Sequence, residues 1–373
     1  MKLFRFTILL FILLVASTVF INVWINPYDY YGDDQLMIKT FSINYSKLKH
    51  ISNEKVKPEA LIYGSSNTLG MDPGLVFKKT GLKTYNYGVF QFTIEDFFCS
   101  INALYDQKIA APKLVILCLD DWSLAEVPSP KDEVFKGAQN RLAYKPEISH
   151  YLPDYSWWRL NWFRLKSSVS YDQLRLTLPE LWKRMKSMNF APTSRAEKMA
   201  FFYEDGTRKK FTNVDNVDIT ELGETGKYDV TGFLKKRNEL LKQFPDSPKG
   251  LLSQGREVFE DFSKQRLALL ESGLDLLNKN HCKVILNIMP LQPYYQQLII
   301  ANTNYSERIK KMNDILNSLK TKYPNVILVQ DNHDERAWGG LENYFFDENH
   351  LTRKNSDLLL ESLLNNIPKD AFQ

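Results

Sequence analysis

The chain is poor in the residues that build metal and disulfide frameworks. Cys99, Cys118 and Cys282 are an odd three in 373 residues. Cys118 and Cys282 fall in or beside apolar runs, where a thiol packs as a small hydrophobe, so neither a disulfide framework nor a thiolate metal site is expected. CxxC and HExxH are both missing, and no cofactor or metal is implied; "DNHDE" at 331–335 reads as a solvated loop. The glycine-rich signatures GxGxxG and GxxxxGKS/T are missing too, which removes the usual cradle for nucleotide phosphate. Charge is not gathered into one sign: 48 basic and 44 acidic residues are mixed along the chain, for a net +4. Without a basic arm or stripe, nucleic acid is not an expected partner. No internal repeat or low-complexity tract appears.

What is present is apolar mass, 44% of residues, with 13% aromatic, enough for a sizeable core. The N-terminus concentrates it. Between Arg5 and Asp29, residues 6–28 carry no charge, a length that crosses a hydrocarbon layer of about 30 Å. Small residues suited to signal cleavage, "VAS" at 15–17, lie inside the run, and Trp24 closes it as an interfacial anchor. Residues 1–28 therefore read as an uncleaved signal anchor, a single-pass transmembrane helix. With Lys2 and Arg5 held in the cytoplasm, everything after it is periplasmic or extracellular.

Five short runs read as strands: 59–64, 83–88, 113–119, 282–289 and 325–330. They are near-continuous in Val, Ile and Leu, which suits strands covered on both faces and hence a parallel sheet. Helical patterns alternate with them. Asp72-Pro73 supplies an N-cap and a first-turn proline, Thr93 with Asp96 resembles a capping box, and 265–279, 307–322 and 356–367 show helical spacing. This alternation predicts an α/β doubly wound, flavodoxin-like domain: a five-stranded parallel sheet in an α/β/α sandwich, built from residues 29–122 and 256–373.

Residues 123–255 interrupt it as a mostly helical, aromatic-rich insertion, far longer than a crossover needs. At its centre Trp157, Trp158, Trp162 and Trp182 interleave with Arg and Lys. Two amphipathic helices packing their tryptophans on the main domain are expected; a glycan-stacking groove, with Trp157, Trp158 and Trp162 as candidates, or a face on the membrane are the alternatives. "YEDGTRKKF" at 203–211 reads as a hairpin.

In a doubly wound sheet, ligands sit beyond the carboxyl ends of the strands. Ser65-Ser66 of "LIYGSSNTLG" leaves the first strand there. A serine hydroxyl needs a base to become a nucleophile. Of five histidines, His50, His150 and His281 are poorly placed, His333 after the fifth strand is a rival, and His350 lies three residues after Asp347 in "YFFDENHLT". Asp-x-x-His can fix the imidazole tautomer and leave the other nitrogen for the serine. With strand order 2-1-3-4-5, the first and fifth strands are roughly 14 Å apart, a distance that residues 331–347 can span many times over.

These blocks resemble the SGNH (GDSL-type) hydrolase superfamily, in particular its membrane-anchored cell-surface branch, which includes alginate-acetylating proteins and the teichoic acid D-alanyl transfer protein. "YGSSNTLGMDP" stands where that family has Gly-Asp-Ser or Gly-Ser-Ser, "YNYGVFQFT" is similar to its second block, and "FFDENHLT" to its terminal Asp-x-x-His block. "NPYDYYG" at 26–32 is similar to the stretch after the anchor in such proteins. The resemblance implies a triad of Ser66, Asp347 and His350, with oxyanion donors on Ser66 and Gly88. It implies O-acylation, typically O-acetylation, of a surface or exported polysaccharide, fed by a polytopic membrane partner. An esterase of the same fold and a non-catalytic surface factor that binds glycan or a partner protein are the alternatives. One block departs from the pattern: "LCLDDWSL" places Asp120 and Asp121 where the family has an asparagine donor, and a carboxylate repels an oxyanion unless it is protonated or turned away. Asp120 could orient a substrate hydroxyl instead.

Overall fold

The structure is a computed structural model that describes residues 2–25, 43–52, 57–89, 92–126, 146–153, 155–188, 261–342, 344–345 and 349–368, with 205, 235, 239, 242 and 371 singly. Its first half contains helices α1 (Lys2–Ile25), α2 (Ile43–Ile51), α3 (Pro73–Thr80) and α4 (Ile94–Asp106) and strands β1 (Ala60–Tyr63), β2 (Thr84–Asn86) and β3 (Leu114–Leu119). Helices α5 (Trp157–Ser168) and α6 (Tyr171–Ser187) follow. The remainder runs α7 (Lys264–Lys279), β4 (Lys283–Ile288), α8 (Pro293–Asn302), α9 (Tyr305–Lys322), β5 (Val326–Asp331) and α10 (Arg353–Asn365). All five expected runs are strands, and they form one parallel sheet in the order β2-β1-β3-β4-β5.

Alternation along the strands divides the core in two. Ala60, Ile62, Leu114 and Ile116 face a cluster with Val76 of α3 and Leu359 and Leu363 of α10. Tyr63 points the other way, where its ring meets Phe97 of α4 edge-on at 5.4 Å. There α7 lies against α4 at a glycine: a Cβ on Gly273 would stand 2.5 Å from the Phe97 ring. The local signals act as read. Asp72 Oδ1 accepts from the Gly74 N–H at 2.8 Å, Gly81 closes α3 at φ 71°, and the Thr93–Asp96 capping box starts α4.

Two compact units make up the chain, Met1–Ile43 with Asn140–Ala200, and Asn44–Gln139 with Phe201–Gln373. In the first, α1 packs on α5 and α6. The apolar N-terminal helix is long enough to cross a membrane, and it is not a separate element but shares a unit with the helical centre of the insertion.

Within the second unit the insertion departs and returns at one neck. Ala125 and Phe262 form an antiparallel bridge, flanked by Glu126 N–H to Asp261 O at 2.9 Å and Ser263 N–H to Leu124 O at 2.8 Å. Among the described residues the departure follows the turn Asp121–Leu124 and the return begins at Asp261. The expected hairpin at 203–211 and the stretch 26–32 lie outside the described residues, apart from Asp205. Arg266 fastens the neck from α7, with Nε on Glu95 Oε1 at 3.0 Å and Nη1 on the Ala125 carbonyl at 2.8 Å, both side chains being buried.

Removing one member of a buried pair strands the other charge, so Arg266→Ala should lower the free energy of unfolding by about 3–5 kcal/mol. Urea unfolding measures this; a loss below about 1 kcal/mol, as for an exposed pair, would contradict it.

Candidate active site

The apolar run of β1 ends at Tyr63 and the chain turns within five residues. Gly64 permits it: a Cβ there would lie 2.9 Å from the Cys118 carbonyl oxygen of β3 and 2.4 Å from the Thr68 methyl. Ser65 then caps a 3-10 turn, Ser66–Thr68, its Oγ accepting from the Asn67 N–H at 3.2 Å, while Thr68 Oγ1 donates to the Ser65 carbonyl at 2.8 Å. Of the two serines that leave the strand, Ser65 is therefore the buried cap. Ser66 is half-buried, and its Oγ stands 2.7 Å from His350 Nε2.

Asn86, at the end of β2, holds this turn from the side. Its Nδ2 donates to the Thr68 carbonyl at 2.7 Å and the Met71 carbonyl at 3.0 Å. Its Oδ1 accepts from the Gly88 N–H at 2.9 Å. The N–H expected to face an oxyanion thus has a partner in this structure. Glycine is required there for space, since a Cβ would come 2.4 Å from Thr68 Oγ1. The Ser66 N–H, first in its turn, has no acceptor among the described residues.

His350 is delivered by a pinched loop. Phe345 and Leu351, both buried, form an isolated antiparallel bridge, and the Thr352 N–H and hydroxyl both bond to the Tyr344 carbonyl, at 3.0 and 2.7 Å. Thr352 occupies the N-cap position of α10, but its hydroxyl is spent on that closure and does not cap. Asp347 lies outside the described residues. An ion pair of Arg353 with Asp72 joins the start of α10 to the start of α3, so the helices behind the serine and histidine loops are tied together.

The rival His333 is engaged by Asp331, Nδ1 to Oδ1 at 2.5 Å, and that bond raises its pKa against the effect of burial. His50 meets the Tyr85 hydroxyl at 3.0 Å. Neither approaches Ser66.

The aspartate pair splits. Asp121 is buried against Arg308, Oδ2 to Nη2 at 3.2 Å, away from the serine turn. Asp120 is buried beside it, with Asn67 Nδ2 donating to its Oδ1 at 2.6 Å. Burial pushes the Asp120 carboxyl up to about 6, against hydrogen bonds from Ser65 and Asn67; nearby Asp121 raises it further and His350 lowers it. Asn67 and Asn86 are the site residues that sequence reading missed. Their signal was slight, an asparagine one residue past the serine and another two before the glycine of the second block.

The three candidate glycan-binding tryptophans are 57%, 77% and 59% exposed, and Trp182 is 59% exposed. The indoles are thus not packed into the interior of their own unit. No groups of three or more His, Cys, Asp or Glu among the described residues could hold a metal ion. No model of a protein family matches the chain, and no curated protein matches it either.

A carboxyl whose pKa is higher folded than unfolded stabilises the protein at low pH, and that contribution is lost as the pH rises through the folded value. The stability difference between wild type and Asp120→Asn should therefore shift against wild type by on the order of 2–3 kcal/mol between about pH 4 and pH 7. Chemical unfolding of both proteins across that range measures it; a pH-independent difference would contradict a buried, titrating Asp120.

Proposed function

We propose that this protein is a membrane-anchored, extracytoplasmic serine acyl-transfer enzyme of the SGNH kind, on a flavodoxin-like scaffold, and that it O-acetylates a cell-surface or exported polysaccharide. The observation that carries the reading is the 2.7 Å approach of His350 Nε2 to Ser66 Oγ, made by two loops on the carboxyl edge of a parallel sheet. Support for the location comes from the apolar helix Phe4–Ile25 with Lys2 and Arg5 before it.

In this reading His350 takes the Ser66 proton as Oγ attacks an ester carbonyl. The tetrahedral oxyanion rests on the Ser66 N–H, and collapse expels the donor alkoxide, which leaves with the proton from His350. The acyl group is then an ester on Ser66. An acceptor sugar hydroxyl gives its proton to His350, attacks that ester and regenerates Ser66. Asp347 orients the imidazole. A polytopic membrane protein supplies acyl groups, as the resemblance implies. With water as acceptor the same steps make an esterase.

A second reading, a non-catalytic factor that binds glycan or a partner protein, draws on two observations. The Gly88 N–H is held by Asn86, and a carboxylate stands at 120 where an amide donor is expected.

A fluorophosphonate probe separates them. Wild type should take one label on Ser66, read by intact mass, and Ser66→Ala and His350→Ala should each lose labelling by at least ~10³-fold in rate. Folded wild type that takes no label would favour the binding factor.

A further inference from the structure

Helices α5 and α6 each carry two stripes. One is turned inward, with Leu160 and Ser168 of α5 and Thr177 and Arg184 of α6 buried. The other is apolar and uncovered. Trp158, Trp162 and Leu165 follow one another at helical spacing on α5, as do Leu178, Trp182 and Met185 on α6, and all six are 48% exposed or more. A helix on a soluble surface keeps its second face polar. Residues 157–188 also carry seven Lys or Arg against two Asp or Glu. Lys166 and Lys186 place their ammonium groups 5.4 Å from the Trp162 and Trp182 ring centres.

What covers this face follows from where the pair of helices is fixed. Along α1, residues 4–17 are exposed, whereas Asn22 and Ile25 are buried and Thr18, Val19 and Ile21 half-buried. The pair therefore grips only the last two turns. At their connection, the Ser168 carbonyl accepts from Asn22 Nδ2 at 2.7 Å. The apolar helix is 22 residues long, about 33 Å, which matches a hydrocarbon layer of about 30 Å. Asn22 is three residues, about 5 Å, from its end. Wherever α1 spans a bilayer, the turn between α5 and α6 sits where hydrocarbon gives way to headgroups. Indoles and long cationic side chains partition to that depth.

We propose that α5 and α6 form an interfacial hairpin whose outer stripe is occupied by the lipid bilayer itself, indoles at the acyl boundary and Lys and Arg at the phosphates. This rests on the membrane-anchor reading of α1 and is independent of the chemistry at Ser66.

The test uses the full chain reconstituted in vesicles of phosphatidylcholine and phosphatidylglycerol, part of the former brominated on its acyl chains, with tryptophan fluorescence as readout. Wild type is compared with Trp24→Phe and with a triple variant, W158F/W162F/W182F. The bromolipid-quenched emission should fall by about half or more in the triple variant and by less in Trp24→Phe, since most lipid-level indoles are on the hairpin. Quenching that disappears in Trp24→Phe and is unchanged in the triple variant would overturn the hairpin proposal while sparing the anchor, and would mean that a second copy or another membrane protein covers the stripe. Quenching absent from wild type would overturn the anchor and the proposal together.

Discussion

Ser66 and His350 stand 284 positions apart in the chain and 2.7 Å apart in the fold, and the proposed chemistry depends on that distance. In a parallel sheet every strand ends at the same edge, so loops from distant parts of the chain are gathered there without long detours. Gathering alone gives proximity of several ångströms. The remaining precision comes from side chains that fix each loop: Asn86 takes two carbonyls of the serine segment, the Phe345–Leu351 bridge closes the histidine loop, and Arg353 with Asp72 joins the helices behind them. Each hydrogen bond is worth only about 1 kcal/mol net, but removing Asn86 would leave buried carbonyls unpaired, a cost of about 1–3 kcal/mol each.

The same logic explains how the fold carries an insertion of more than a hundred residues. Loop-closure entropy grows only with the logarithm of length, so a long excursion costs little beyond a short one provided its ends are held together. Here the ends are one bridge apart, and the Arg266 guanidinium binds both Glu95 and the Ala125 carbonyl beside that bridge. Strand β3 and strand β4 pair along six residues as if nothing intervened. The insertion still reaches the sheet at one point, where the Asn86 N–H at the end of β2 donates to the Asp205 carbonyl at 2.7 Å.

The sheet was legible because β1 and β3 are buried throughout and β4 at all but its first residue, so those runs are nearly all apolar, and helix starts were legible because caps are local chemistry. The serine and histidine were found through order along a fold, since a hydroxyl at the carboxyl edge has few candidate bases. What sequence could not give is which neighbours compete for each donor. Gly88 reads as an oxyanion donor by position, yet Asn86, two residues away, already accepts its N–H. Asp120 and Asp121 are adjacent and identical in type, and only the positions of Asn67 and Arg308 turn one toward the site and the other away. The tryptophans are a different case. Aromatic residues at helical spacing usually mean a core, and the pattern does not say whether protein or lipid covers them.

Asp120 sets the terms for any acyl-transfer chemistry here. The amide donor that the SGNH resemblance leads one to expect has no equivalent in this carboxylate, and the nearest amide, that of Asn67, donates to Asp120. Burial pushes the Asp120 carboxyl up to about 6. When ionised it opposes a developing oxyanion, while His350 draws the Asp120 carboxyl down. Losing one oxyanion donor costs ~10² to 10³ in rate. On the proposed reading the oxyanion rests on the Ser66 N–H, which has no acceptor among the described residues, and Asp120 acts by its charge on the imidazolium formed once Ser66 has given up its proton. The carboxylate then acts on the base and not on the substrate, which reconciles a negative charge in this corner with a nucleophilic serine beside it.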